Sequence, residues 1–489
     1  MARPGTWHAD RMDSESGAGL LHRLTSYDLD REWDAPADDP RVRHDLEPND
    51  LTTIPPPVKQ YDAGLPRTPL SRELPNPGVS ATAVLAGSPV PARPLDAAEL
   101  GRILYLAAGV VRTGERSWGQ ILFRAAGSAG ARFPLEVYAT TSGVQGVPDG
   151  VHWYDPVNHA LVQVGPAPDG AASTLIVTGV PWRTGWRYAE RGWRHLYWDA
   201  GTALSQLIAA ADSAGARPRL QTRFADTAIT RLVGADGVHE FPLALVVLGD
   251  GTPATEASGP ATPGFLPEVE FPLCTQAQRA GDSDEPGPAW PVGPVLADVP
   301  ESPVLDEVIL RRGSQRLMDR NVQLPRRLLD WPMRAAMRGI EVPHWVVVHG
   351  VQDTAPGIYR WPDLDTPQRQ AELRDELLRI ALDQYLAADA GYVVIGAIDG
   401  AELDDRGYRD AQLAAGLVEG RLHLAAYALG ATASGMTFAD SEVPALLGQS
   451  NDLVTLLFTC VGVGDYASRA GGRPGAPVPI RQVKEKIGD

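Results

Sequence analysis

Apolar residues recur along this chain with two periods, and the periods alternate in the same order twice. A return every three or four positions, as at Leu100, Ile103, Leu104, Ala107 and Ala108, predicts an amphipathic helix. Asp96 stands ahead of it as a cap, with Glu99 three residues on. Short apolar runs then predict strands at 134–140, 152–154 and 174–180. After a Gly/Pro-rich stretch the order repeats: Ser302-Pro303 starts a helix bearing Leu305, Val308 and Ile309, and strands are expected at 345–349, 357–361 and 392–398. A helix packed on a mostly antiparallel sheet is the simplest architecture for each copy, making the chain α+β.

The repetition is also literal. Segment 191–216 aligns without gaps on 406–431, with ten of 26 positions identical, against about two or three expected by chance in such Ala/Gly-rich stretches. Phe224-Ala225-Asp226 then matches Phe438-Ala439-Asp440, and the strand-like 243–249 matches 456–462. The repeated helix carries Ala200, Gly201, Ala210 and Ala211 in one copy and Ala414, Ala415, Gly416, Ala425 and Ala426 in the other. Small side chains let backbones approach closely, so this helix forms either the seam between copies or each copy's own core. Residues 1–90 read as an extension that wraps a surface in extended form, 91–252 as the front domain, 253–300 as a Gly/Pro-rich linker and 301–489 as the back domain.

Charge narrows the partners. Lys and Arg number 44 against 61 Asp and Glu, a net charge of −17, which repels phosphate backbones and anionic lipid alike. Nucleic acid and membrane surfaces are therefore not expected as partners. The first twenty residues, with Asp10, Asp13 and Glu15, contain no apolar export signal, and the expected compartment is cytoplasmic. Cys274 and Cys460 make no disulfide framework, and the ten histidines show no metal-ligand spacing. Cys460 falls in an apolar run and is expected to be a buried thiol.

Five stretches carry a family likeness: 21–27 (LHRLTSY), 59–61 (KQY), 128–138 (SAGARFPLEVY), 183–191 (RTGWRYAER) and 311–316 (RRGSQR). Together they resemble the nitroreductase superfamily, and within it the SagB/McbC-type azoline dehydrogenases. The resemblance implies two tandem nitroreductase-like domains forming a pseudo-dimer within one chain, compatible with further homo-oligomers, and an FMN cofactor held at their junction. It assigns the phosphate to Arg311, Arg312, Ser314 and Arg316, with Arg473 near the C-terminus, and the ring side to Ser128, Ala129 and Gly130, with Gly435 and Met436 beyond the second repeated helix. Charge-assisted donors of this kind suit a phosphate, although arginines at a helix end also offset its dipole.

The front copy has nothing like the arginine motif between Arg72 and Arg93, and the back copy has only 340–344 where a flavin loop would lie. The losses are complementary, so one composite site is expected. The implied activity is dehydrogenation of thiazoline or oxazoline rings in a peptide, with dioxygen as acceptor and a cyclodehydratase as partner. The family places a Lys-Tyr pair for proton removal, and this chain has Arg187-Tyr188 instead. A guanidinium does not accept the proton, which leaves Tyr188 or His195 as acid/base and Arg187 to steady negative charge. Two alternatives follow from that departure: a dehydrogenase acting on another, for example carrier-bound or small-molecule, substrate, or a flavin-free scaffold that binds a leader peptide.

Overall fold

The computed structural model describes residues 16–29 and 50–481 apart from 117–118, 169–171 and 266–268, together with 483, 484 and 486. Asp10, Asp13, Glu15 and much of the 1–90 extension lie outside the described residues.

In the front half the strands are β1 (Arg67–Pro69), the hairpin β2 (Val110–Arg116) and β3 (Gly119–Arg124), β4 (Leu135–Thr141), β5 (Gly150–Asp155), β6 (Ala160–Gly165), β7 (Thr174–Gly179), β8 (Pro218–Gln221) and β9 (Phe241–Leu248). In the back half they are β10 (His344–Val348), β11 (Gly357–Arg360), β12 (Arg369–Gln370), β13 (Tyr392–Asp399), β14 (Thr432–Met436), β15 (Leu453–Gly462) and β16 (Val478–Pro479). Two antiparallel sheets result, ordered β1-β6-β5-β4-β7-β9-β8 and β12-β11-β10-β13-β15-β14. A third, small sheet joins the halves, because β16 runs parallel to β2 of the β2–β3 hairpin. Each half is thus an α+β unit built on an antiparallel sheet, and the chain pairs two of them.

The strands form where expected, shifted by a few residues at most, since β5, β7 and β9 are buried at every position and β-branched and aromatic side chains fill such two-sided strands well. Asp96 caps the helix Ala97–Ala108 by accepting from the backbone N–H groups of Ala98 and Glu99. Cys460 and Cys274 are both buried thiols.

The long helices Gly192–Ser213 and Asp405–Ala428 lie against each other, so the repeated helix is core and seam at once. The glycines make this contact sterically. A Cβ on Gly201 would meet the Leu417 amide nitrogen at 2.4 Å, and one on Gly416 would meet the Trp198 carbonyl oxygen at 2.4 Å. Gly201→Ala is accordingly expected to force the backbones apart and cost about 1–3 kcal/mol, read as a lower urea midpoint.

The repeated sequence motifs have a reciprocal purpose. Arg191 and Arg194 of the front helix bind Asp440 of the back half at 2.7 Å each. Arg406 and Arg409 of the back helix bind Asp226 of the front half at 2.6 and 3.1 Å. All six side chains are buried. Each Phe-Ala-Asp tripeptide therefore completes the opposite copy's helix, and its Phe ring sits under an arginine of that helix: Arg191 over Phe438 and Arg406 over Phe224.

Two expectations need correction. The extension is not simply extended: Gly17–Thr25 is a helix capped by Ser16, and Ala81–Ala86 is a second, buried one. The linker likewise contains the nine-residue helix Pro272–Ala280, which packs against Gly17–Thr25. Both segments are too short, and too rich in Gly or Pro, to show a helical period, and tertiary burial of Ala18, Leu21, Cys274 and Ala277 decides their form. Lys59 and Tyr61 of the extension are fixed on the outer face of the front sheet, where Lys59 forms a buried ion pair with Glu240 and donates to Tyr138. None of the described helices is long and apolar enough to cross a membrane, and no His/Cys/Asp/Glu group with metal-binding geometry occurs among the described residues.

Candidate active site

A cleft of about 610 Å³ opens at the junction of the halves. The front half contributes the β2–β3 hairpin and the loop 126–133, and the back half contributes 312–316, 466–469 and the C-terminal stretch around β16. Six arginines line it, namely Arg112, Arg124, Arg312, Arg316, Arg469 and Arg481, and none of its lining residues is a carboxylate. In a chain of net charge −17, so concentrated a positive surface marks an anion site.

The two motifs meet directly. A Cβ on Gly127 would lie 3.3 Å from the Arg312 guanidinium and 3.4 Å from the Ser314 hydroxyl. Arg312 follows the helix Leu305–Arg311 as its cap residue and is buried, donating to the Ala125 carbonyl at 2.5 Å and contacting His423 Nδ1 at 3.2 Å. Its Nε has no protein partner. Burial, with neighbouring Arg112 adding to it, lowers Arg312 to about 10, which leaves it cationic at neutral pH. Ser314 is exposed to the cleft, and Arg316 lines it beside Tyr466.

Not every expected residue arrives there. Arg311 points outward, half-exposed and paired with Glu307 one helical turn back. Arg473 is exposed in a turn closed by the Ala476 N–H to Arg473 carbonyl bond and does not line the cleft. Arg469 and Arg481 occupy the C-terminal wall instead, with Arg469 donating to the Pro479 carbonyl at 2.9 Å. Gly435 and Met436 belong to β14 rather than to a loop. Met436 is buried in the core, and Gly435 is packed on Glu419, whose Oε1 lies 2.5 Å from where a Cβ would stand.

The Ser128 loop is the most constrained part of the wall. Asp199 of the front long helix accepts from the Ser128 hydroxyl at 2.5 Å and from the Ala129 N–H at 3.0 Å, and the Ser128 oxygen accepts from the Phe133 N–H at 2.8 Å. Gly130, Ala131 and Phe133 all take positive φ, at 56°, 54° and 47°. Arg187 and Tyr188, at the end of the helix Pro181–Tyr188, abut this loop: a Cβ on Gly130 would lie 2.6 Å from the Tyr188 hydroxyl and 2.9 Å from Arg187 Cδ. His195 lies behind them, stacked on the Tyr188 ring at 4.1 Å and bonded through Nδ1 to the Arg191 carbonyl at 3.2 Å. Burial, with Arg191 second, pushes its pKa down to about 3, so it is neutral at physiological pH.

Sequence reasoning missed Arg112 and Arg124, which sit on a hairpin without a motif. Arg112 donates to the carbonyls of Leu310, Arg312 and Arg469, and Arg124 to those of Ala108 and Pro57. Arg112 thus ties the hairpin to the back half across the junction, and Arg124 ties it to the front half and its extension.

No family model matches the chain. A protein of Methanocaldococcus jannaschii designated a nitroreductase is 30% identical over 171 residues, which make up 32% of this chain and 81% of its own. The crystal structure of a protein from Anabaena variabilis, also designated a nitroreductase, is 21% identical with a TM-score of 0.71, and the match covers 92% of this chain and 100% of that one. At that identity the likeness is one of fold, and it extends over both halves. The McbBCD microcin synthetase complex of E. coli is similar over 32% of this chain and 65% of the matched chain, at 20% identity and a TM-score of 0.28, too slight to carry an argument.

Proposed function

The chain belongs to the nitroreductase family of flavin oxidoreductases, and on that premise we propose that it binds one FMN in the junction cleft and dehydrogenates thiazoline or oxazoline rings of a modified peptide, with dioxygen as electron acceptor. The observation that carries this reading is the shared cleft in which Gly127, beside the Ser128 loop, faces Arg312 and Ser314. The residues present fit a flavin phosphate: a buried guanidinium with an orphaned Nε, an exposed serine hydroxyl, and five further arginines lining the same cleft. Each charge-assisted bond to such a phosphate contributes about 1.5–3 kcal/mol when shielded. Arg312, Ser314 and Arg316 would hold the phosphate, with Arg469 and Arg481 in place of Arg473, and Ser128 to Gly130 would supply the ring-side wall. When bound, FMN supplies a two-electron acceptor for hydride leaving Cβ of the azoline.

The likeness of 128–138 and 183–191 to the SagB/McbC type, with Tyr188 standing against the loop, supports an azoline substrate. Tyr188, acting as its phenolate, is the group that takes the Cα proton and becomes the phenol, and Arg187 steadies the negative charge that develops as the proton leaves. Tyr188→Phe is expected to slow azole formation by about 10² to 10⁴-fold while leaving flavin content unchanged. Mass spectrometry of a thiazoline peptide, reading the loss of two hydrogens, provides the measurement.

Arg187 in place of the family's Lys favours a second reading, a dehydrogenase of the same cofactor whose substrate carries an anionic group. If the yellow wild-type protein leaves azolines intact and Arg187→Lys restores their oxidation, the second reading holds. A purified chain with no flavin absorbance and no affinity for FMN would sink both and leave the peptide-binding scaffold.

A further inference from the structure

We propose that Asp199, faced by Glu419 of the other long helix, is the positioning residue of the flavin loop. The inference rests on the FMN reading of the cleft and adds to it the device that shapes the site.

The loop needs such a device. Non-glycine residues at positive φ cost about 1–3 kcal/mol each and persist only where the surroundings over-determine them. Ala131 and Phe133 are two of these within three residues. The only side chain anchoring the Ser128-Ala129 corner in the hydrogen bonds described is Asp199, which receives both the Ser128 hydroxyl and the Ala129 N–H. The hydroxyl it fixes then receives the Phe133 N–H, so the strained turn is closed through this one carboxyl group. Because Gly130 touches Tyr188 and Arg187, the position of the loop also sets where those two stand.

Glu419 is the acid that faces it from the back long helix. It accepts from Thr202 of the front helix at 3.1 Å, lies 3.6 Å from His423 Nε2, and supports Gly435 from below. His423 in turn contacts Arg312.

The repeat supplies an independent argument. In the 215-residue register that aligns 191–216 with 406–431, the position of Asp199 is held by Ala414 and that of Glu419 by Leu204. Neither acid belongs to the architecture the two copies share. Both occur where the serine loop and the arginine motif face each other, and neither occurs at the pseudo-equivalent place where those motifs are missing.

The groups facing Asp199 are Ser128 and Ala129 from the loop, Glu419 from the back helix with Arg312 and His423 behind it, and Arg124 from the hairpin across a small shared cavity. Burial, countered by the Ser128 and Ala129 bonds and reinforced by Glu419, raises its pKa to about 8. The ionised carboxylate accepts both donors, whereas the protonated acid gives up one acceptor site. The loop is therefore held best at the alkaline end of this range.

The test is FMN titration of the full chain, followed by quenching of flavin fluorescence between about pH 6 and 9, for the wild type, Asp199→Asn, Ser128→Ala and the double variant. Wild-type affinity is expected to rise with pH. Asp199→Asn is expected to bind about tenfold more weakly and without that pH dependence. The double variant should be no weaker than the weaker single one, because both changes remove the same contact. Wild-type affinity and pH profile in a folded Asp199→Asn protein would overturn the proposal. Should that variant not fold, an unchanged affinity and profile in Ser128→Ala would overturn it equally. A wild-type chain that binds no FMN sinks the cofactor reading itself, which separates the two failures.

Discussion

Replacing Asp440 with alanine is expected to cost about 3–5 kcal/mol of stability, measured as the shift in a urea unfolding curve. The replacement takes the paired carboxylate from two buried arginines at once, since Arg191 and Arg194 both bind it. Removing one partner of a buried ion pair is far worse than never having had the pair, because desolvation has already been incurred. Burial by itself would raise the Asp440 pKa, and Arg191 followed by Arg194 overrides it, holding the carboxyl well below its ordinary range. The sign follows: the folded pKa is depressed, so the stabilisation is fully present above the unfolded value of about 4 and is lost as pH falls through the folded one. Acid unfolding of the wild type should therefore set in below about pH 4, and Asp440→Asn should blunt that dependence. An alanine variant within about 0.5 kcal/mol of wild type would show that the cluster is neutral in the balance.

Removing the cleft's cation is the second large effect. Arg312→Ala is expected to weaken FMN binding by about tenfold to a hundredfold, so that the purified protein loses its yellow colour on gel filtration. Arg311→Ala is expected to keep it, since Arg311 is turned to solvent and held by Glu307. The contrast between adjacent arginines is the discriminating part, because a general effect of lost positive charge would act on both. A colourless Arg311→Ala protein beside a yellow Arg312→Ala one would reverse the assignment of the phosphate.

Much of the fold was legible because strands buried on both faces are written as continuous apolar runs, and because the chain writes them twice. The meaning of the repeat was not. Arg191-Gly192-Trp193-Arg194 and Phe438-Ala439-Asp440 are each visible as conserved-looking fragments between copies, but nothing local says that the arginines of one reach the aspartate of the other, 246 residues from Arg194. The Ser128 loop and Arg312 were readable as motifs and do share a cleft. Arg473 was sought by its place in a glycine-rich turn, and backbone geometry turned it away, while Arg469 and Arg481 entered through a parallel strand pairing of β16 with β2 that no periodicity announces. Arg112 and Arg124 escaped notice because single arginines in a hairpin carry no signature until the hairpin is docked. Asp199 was hidden inside the repeated helix, where it passed as one more polar position.

The crossed carboxylates also bear on how the chain is made. As the front half leaves the ribosome it carries Arg191 and Arg194, whose buried ion pairs end on Asp440, and that residue is synthesised some 246 positions after Arg194. Domains ordinarily mature one after another during synthesis, but here the earlier one waits on its sibling for a counter-ion. Maturation of the halves is thereby bound into a single late event, and a nascent chain arrested before Asp440 should remain protease-sensitive throughout its length.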